Sequence, residues 1–197
     1  MITTEQVKEL RDKTGISVMQ CKKALEEAKG DAQKALAILQ SKGKEIALKK
    51  GERTLGSGII ASYIHGNGIV GAMVELSCES DFVAKNEEFK VLAYDIAMHT
   101  AALNPKFVSN IQIGEGERAS IAALFTEEVA KSGKPKDIQA KMLEGKLGTY
   151  FKEQTLLDQP FVKNPDITVR GLIDGAIQKF GERIEVARIA RFSVLGR

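Results

Sequence analysis

Gly58-Ile59-Ile60-Ala61-Ser62-Tyr63-Ile64-His65-Gly66-Asn67-Gly68-Ile69-Val70-Gly71-Ala72-Met73-Val74-Glu75-Leu76-Ser77-Cys78 is the stretch on which the fold turns. Two extended runs, Gly58 to His65 and Ile69 to Cys78, flank Gly66-Asn67-Gly68, the composition of a tight hairpin loop. In the second run Val70, Ala72, Val74, Leu76 and Cys78 fall at alternate positions, so a strand there carries one buried face. The segment also holds a decoy. Gly66-Asn67-Gly68-Ile69-Val70-Gly71 matches the Gly-x-Gly-x-x-Gly fingerprint, whose glycines let a helix N-terminus approach a pyrophosphate. Here β-branched residues and an alternating strand follow, with no βαβ unit around them, and the hairpin is the better reading.

Downstream, Asn86 reads as the N-cap of an amphipathic helix with Glu87 and Glu88 at its positive end. Phe89, Leu92, Ala93, Ile96 and Leu103 line one side of it. Weaker helical patterns cover about 117–132 and about 136–157. Thr168 caps a helix through Phe180 that Gly181 stops, and a long strand from Ile184 to Val194 closes the chain. Helices and antiparallel strands in separate runs predict an α+β core.

Upstream, residues 1–43 read as three short helices. Thr3 and Gln6 form a capping box with Ile2 and Val7 as its staple, and Ser17 and Gln20 repeat it with Ile16 and Cys21. Gly15, Gly30 and Gly43 are the expected stops, and Asp31 caps the third helix. Leu10, Cys21, Leu25, Ala28, Leu36 and Leu39 recur at helical spacing and suit one small core. Bundles of this size bind helices or peptides far more often than they catalyse. The expected organisation is a helical domain over 1–43, a basic linker over 44–57 and an α+β core over 58–197.

The 197 residues, 43% hydrophobic and 28% charged, are enough to bury a core. No apolar run approaches bilayer length, so no membrane association is expected. Met1-Ile2-Thr3-Thr4-Glu5 lacks the basic-then-apolar start of a secretion signal, and Cys21 and Cys78 form neither a Cys-x-x-Cys nor a Cys/His cluster. The expectation is therefore a cytoplasmic protein without structural disulfide or metal. Net charge is only +3, with the excess in Lys42, Lys44, Lys49, Lys50 and Arg53, which reads as a solvated linker before it reads as a phosphate-binding patch. No Gly-x4-Gly-Lys-Ser/Thr loop is present, and neither His65 nor His99, placed toward the polar flank of its helix, has a nearby nucleophile or carboxylate. Cys78 alternates with buried positions and reads as core. No catalytic residue, metal or cofactor is expected.

The informative segment is Glu75-Leu76-Ser77-Cys78-Glu79-Ser80-Asp81-Phe82-Val83-Ala84-Lys85-Asn86, where a strand ends and a helix begins a few residues later. Phe82 is an aromatic in a polar, loop-like stretch that neither flanking period requires. On physical grounds alone it folds back onto the core, as lone aromatics near helix starts usually do. Held outward on a short rigid turn, it is instead a wedge for a partner's pocket.

These residues belong to motifs that resemble the elongation factor Ts family along the whole chain. Leu10-Arg11-Asp12-Lys13-Thr14-Gly15-Ile16-Ser17-Val18-Met19-Gln20-Cys21-Lys22-Lys23-Ala24-Leu25 is similar to its N-terminal signature, Glu75 to Lys85 to its second, and Gly181-Glu182-Arg183-Ile184-Glu185-Val186-Ala187-Arg188 to its tail. Gln20 stands where an acidic residue is usual, and Ser80 where threonine is. The resemblance implies a guanine-nucleotide exchange factor for elongation factor Tu, without chemistry of its own. It implies that the N-terminal domain, similar to ubiquitin-associated domains, grips the GTPase through Val18 and Met19, with Leu10 and Arg11 beside them. Asp81, Phe82, Val83 and Ala84 would enter near the magnesium site, displace the ion and promote exchange of GDP for GTP during translation elongation.

Two other classes remain open to test. A nucleic-acid module using residues 42–53 lacks an aromatic platform, and no direct nucleic-acid contact is expected. An enzyme using Glu79 and Asp81 as a carboxylate pair lacks an evident pocket. Longer family members carry two related core subdomains where this chain has room for about one and a half. A homodimer through an exposed edge strand, Ile184 to Val194, is therefore expected, unless Arg188 and Arg191 blunt that edge.

Overall fold

The computed structural model describes residues 2–194 and Gly196; Met1, which opens the N-terminal stretch considered above, lies outside the described residues. Three helices come first: α1 (Thr4–Thr14), α2 (Val18–Glu27) and α3 (Ala32–Lys50). The capping box at Thr3 is complete, with the Gln6 N–H donating to Thr3 Oγ1 and the Thr3 N–H to Gln6 Oε1. Ser17 accepts from the Gln20 N–H at 3.4 Å, and Asp31 from the Gln33 and Lys34 N–H groups. Gly15 takes the left-handed conformation that ends α1. Leu10, Cys21, Leu25, Ala28 and Leu39 share one core with Val7, Ile16, Ala24 and Ala35, and Leu36 packs at its edge.

Gly43 does not stop α3. The helix runs seven residues further, to Lys50, so the first part of the expected linker is helical. The reason lies in α8 (Val169–Phe180), which crosses α3 there. A Cβ on Gly43 would meet the Asp174 carbonyl oxygen at 3.0 Å and its carbon at 3.2 Å. This glycine therefore marks a close helix–helix approach rather than an end. The N-terminal half of α3 fills the bundle core, while Ile46 and Ala47 pack against the second, larger core.

That second core lies under a three-stranded antiparallel sheet, β1 (Ser57–Ile64), β2 (Val70–Cys78) and β5 (Ile184–Ser193), with β2 in the centre. The alternate residues Ala72, Val74, Leu76 and Cys78 are buried on the face covered by α5 (Glu87–Leu103). Ile184 and Val186 join them from β5. A register shift opposite Glu75/Leu76 then changes the phase of that strand, so Arg188 faces outward across from Glu75 and pairs with it. β5 is an edge of the sheet, as its sequence suggests. A helical hairpin of α6 (Glu115–Ala130) and α7 (Lys136–Gln154) is held by a Phe125–Tyr150 edge-to-face contact and the Lys146–Glu128 ion pair. A short pair, β3 (Pro160–Phe161) and β4 (Asn164–Thr168), was not foreseen. Among the described residues no helix is long and apolar enough to cross a membrane.

Two placements on α5 differ from expectation. Leu103 is exposed, and His99 is fully buried rather than on a polar flank, because the β3–β4 pair covers that side of the helix. His99 Nδ1 accepts the Val162 N–H at 3.2 Å, which leaves Nε2 to donate to Gln159 Oε1 at 2.8 Å. The Gln159 amide in turn donates to the Glu153 carbonyl. Both ring nitrogens are thus committed to the neutral imidazole, and burial lowers the His99 pKa below its ordinary value.

Two outcomes follow from this packing. Gly43→Val should lower the stability measured by denaturant unfolding by about 1–3 kcal/mol, as overpacking does; a midpoint equal to the parent's would show that α3 and α8 separate freely. For His99, the unfolded chain binds the proton more readily than the folded one. Stability should therefore fall as pH drops below the ordinary histidine value of 6.5, by at most about 1.4 kcal/mol per pH unit. A His99→Gln variant should show a flatter decline in melting temperature between pH 7.5 and 5.

Candidate functional site

The Asp81-Phe82 stretch is not a loop. Asp81–Ala84 forms a single helical turn, α4, directly after β2 and before α5. Ser80 caps it, its Oγ accepting the Val83 N–H at 3.4 Å, and the Lys85 N–H closes onto the Asp81 carbonyl at 3.0 Å. Residues on one turn point about 100° apart, so four residues divide between two faces. Val83 and Ala84 are 3% and 6% exposed and join the main core, whereas Phe82 is 80% exposed. The fold-back reading of Phe82 is thereby excluded: its two successors occupy the inward face. Asp81 lies outside too, its carboxylate 2.6 Å from Lys85 Nζ, and that hydrogen bond holds its pKa below the usual carboxylate value.

The turn is fastened from a distant part of the chain. Cys78 pairs with Ile184 at the end of the central ladder, which brings Glu79 and Ser80 beside Glu182 and Arg183. Glu182 receives the Ser80 N–H at 3.0 Å on Oε2 and the Ser80 hydroxyl at 2.5 Å on Oε1. Glu79 accepts the Arg183 N–H at 2.5 Å and the Arg53 guanidinium at 3.1 Å. The first of these bonds is the main reason its pKa lies below the ordinary value. Cys78 is buried, as expected for a core residue, and burial followed by the nearby Glu182 charge pushes its thiol pKa up.

Glu79 and Asp81 are thus engaged with different cations, and the arrangement of an acid–base pair is missing. The basic segment is partly engaged as well: Lys42 pairs with Glu27 at 2.7 Å, Lys50 donates to the Gly181 carbonyl, and Arg53 binds Glu79. Among the described residues no three or more His, Cys, Asp or Glu side chains gather as a metal site.

In the bundle, Val18 and Met19 are exposed on the first turn of α2, with Cys21, Ala24 and Leu25 buried on the opposite side. Arg11 is exposed on α1. Leu10 is 3% exposed, inside the bundle core. Leu10, Val83 and Ala84, expected among the partner-binding residues, are packed into the protein's own cores. The outward-facing members of the set are Arg11, Val18 and Met19 on the bundle and Asp81 and Phe82 on the core. The part Glu182 and Arg183 play is not visible in the sequence, because nothing local says that a residue a hundred positions away reaches Ser80.

A family model described as elongation factor TS matches residues 3–196. Elongation factor Ts of Carboxydothermus hydrogenoformans is 46% identical over 194 residues, covering 98% of this chain and 89% of that protein. Elongation factor Ts of Heliobacterium modesticaldum is 44% identical with 98% and 90% covered, and that of Thermosipho melanesiensis 45% identical with 98% and 99% covered.

Proposed function

The chain belongs to the elongation factor Ts family, and from that premise we propose that it binds elongation factor Tu carrying GDP and promotes exchange of GDP for GTP in translation elongation. The observation that carries this reading is Phe82, an exposed aromatic on a turn whose next two residues are locked in the core. The backbone that carries this side chain is already ordered before binding, so little backbone entropy is lost when the ring enters a partner's pocket. Asp81 and Phe82 are the groups offered toward the magnesium site of the GTPase, and Val83 and Ala84 hold their base. Val18 and Met19, with Arg11 nearby, form the anchoring patch of a bundle similar to ubiquitin-associated domains.

The ion belongs to the partner and neutralises the phosphates of its nucleotide. Displacing it weakens GDP. Factor and nucleotide then weaken each other by the same free energy, so the factor speeds equilibration without choosing its direction. Nothing in this scheme requires a covalent step, a cofactor or contact with nucleic acid.

Self-association is a second reading, and one observation favours it. On the sheet face away from α5, Ile60, Ile64, Met73 and Phe192 are all exposed, across three adjacent strands. Water contact over such a cluster is unfavourable, and a second copy facing it with the same surface would cover both at once. Of the two arginines that could blunt the edge, Arg188 lies on this same face, paired with Glu75, and Arg191 donates to the Ala101 carbonyl at 2.9 Å.

Two measurements test these readings. Release of fluorescently labelled GDP from elongation factor Tu should be accelerated by catalytic amounts of the protein. Phe82→Ala should lose about 2 kcal/mol of that effect, a factor of about 30 in rate, with an unchanged melting temperature. A folded variant with the parent's rate would sink the wedge. Sedimentation at micromolar concentration should show twice the 21.5 kDa chain mass, reverting to one mass in Phe192→Asp; a parent protein that sediments as a monomer rejects the dimer.

A further inference from the structure

We propose that Glu182 is a positioning residue for nucleotide exchange: through Ser80 it sets where the Phe82 turn stands, and through the turn it belongs to it ties that position to α3. The proposal rests on the reading of α4 as the exchange element. The polar groups of the Gly181-Glu182-Arg183 turn between α8 and β5 converge on the root of α4. Glu182 holds both hydrogens that Ser80 can donate, the N–H at 3.0 Å and the hydroxyl at 2.5 Å. The same hydroxyl oxygen accepts the Val83 N–H at 3.4 Å and so caps the turn. One carboxylate therefore orients the cap through a short charge-assisted bond, and the cap orients the helical turn.

The restraint is reciprocal across the gap. Glu79, one residue before Ser80, takes the Arg183 N–H at 2.5 Å, so each side supplies a carboxylate to the other's backbone. The turn is also tied to the segment leaving α3. Arg183 Nη1 donates to the Arg53 carbonyl at 2.5 Å, and the Lys50 ammonium at the end of α3 donates to the Gly181 carbonyl. A path made of these hydrogen bonds and the short Gly181–Arg183 backbone thus runs from the helix that carries the bundle to the cap of the turn that carries Phe82. Grip by the bundle and placement of the aromatic share one support.

A positioning role predicts loss of rate without loss of grip, because Arg11, Val18 and Met19 are untouched. The experiment measures GDP release from elongation factor Tu over a range of concentrations of the full-length protein. Glu182→Gln and Ser80→Ala should each lower the rate at saturation roughly tenfold, as small misplacements of a reacting group do. The concentration giving half the effect should stay within about twofold. Both changes together should be no slower than the worse single, since they break one linkage. Ser80→Thr, which keeps the hydroxyl, should stay within about twofold of the parent.

Additive losses in the double variant, or a Glu182→Gln protein at the parent's saturating rate while Phe82→Ala is slow, overturn the positioning role alone. Phe82→Ala at the parent's rate overturns the reading of the turn and this proposal with it. Should Glu182→Gln fail to fold, the Ser80→Ala and Ser80→Thr pair decides: equal rates in those two overturn the proposal.

Discussion

The pairing of Cys78 with Ile184 at the end of the central ladder is the contact on which the rest of the site depends. It is the last rung between β2 and β5, and the backbones on either side of it have no further partner in the sheet. Glu79 and Ser80 on one chain segment and Glu182 and Arg183 on the other meet there. Their backbone N–H groups are met by side-chain carboxylates crossing from the opposite segment. Without such partners these groups would be costly beside a core. With them, the chain leaves β2 in one direction only, and Val83 and Ala84 reach the core beneath α4 while Phe82 cannot.

A second constraint joins the two parts of the molecule. Each has its own apolar core, yet α3 is common to both: Ala35 and Leu39 belong to the bundle, Ile46 and Ala47 to the packing over α8. The close approach at Gly43 makes this shared use possible, since a side chain there would meet the backbone of Asp174. A helix is stiff over this length, so the exposed patch at Val18 and Met19 is carried on a strut rather than on a flexible tether. The exposed patch on the bundle and the exposed Phe82 turn on the core are thereby linked through one shared helix.

The sheet shows how little separates a protected face from an exposed one. The register shift in β5 opposite Glu75/Leu76 keeps Ile184 and Val186 inward at one end and leaves Phe192 outward at the other. Phe192 consequently lies with Ile60, Ile64 and Met73 on the face away from α5, and the molecule has one well-filled sheet face and one with an apolar patch.

Much of this was legible residue by residue. Local rules identified the hairpin around Gly66-Asn67-Gly68, the alternation that buries Ala72 to Cys78, the caps at Thr3, Ser17, Asp31, Asn86 and Thr168, and the left-handed stops at Gly15 and Gly181. Each depends on neighbours within a few positions, so sequence by itself determined most of the helices, the long strands and the α+β class, but not the extent of α3, the α4 turn or the β3–β4 pair. The motif around Phe82 was equally visible, but its orientation was not, because a single aromatic carries no periodicity to say which face it takes. Gly43 read as a stop for the same reason: a glycine's missing side chain means a turn or a close approach, and only α8 decided which. His99, Leu10 and the Glu182–Ser80 bonds were settled by segments 60 to more than 100 residues away, or by the closing of a whole core. Sequence determined which groups were available; tertiary structure decided which of them face outward, since burial is set by what folds over a residue and not by the residue itself.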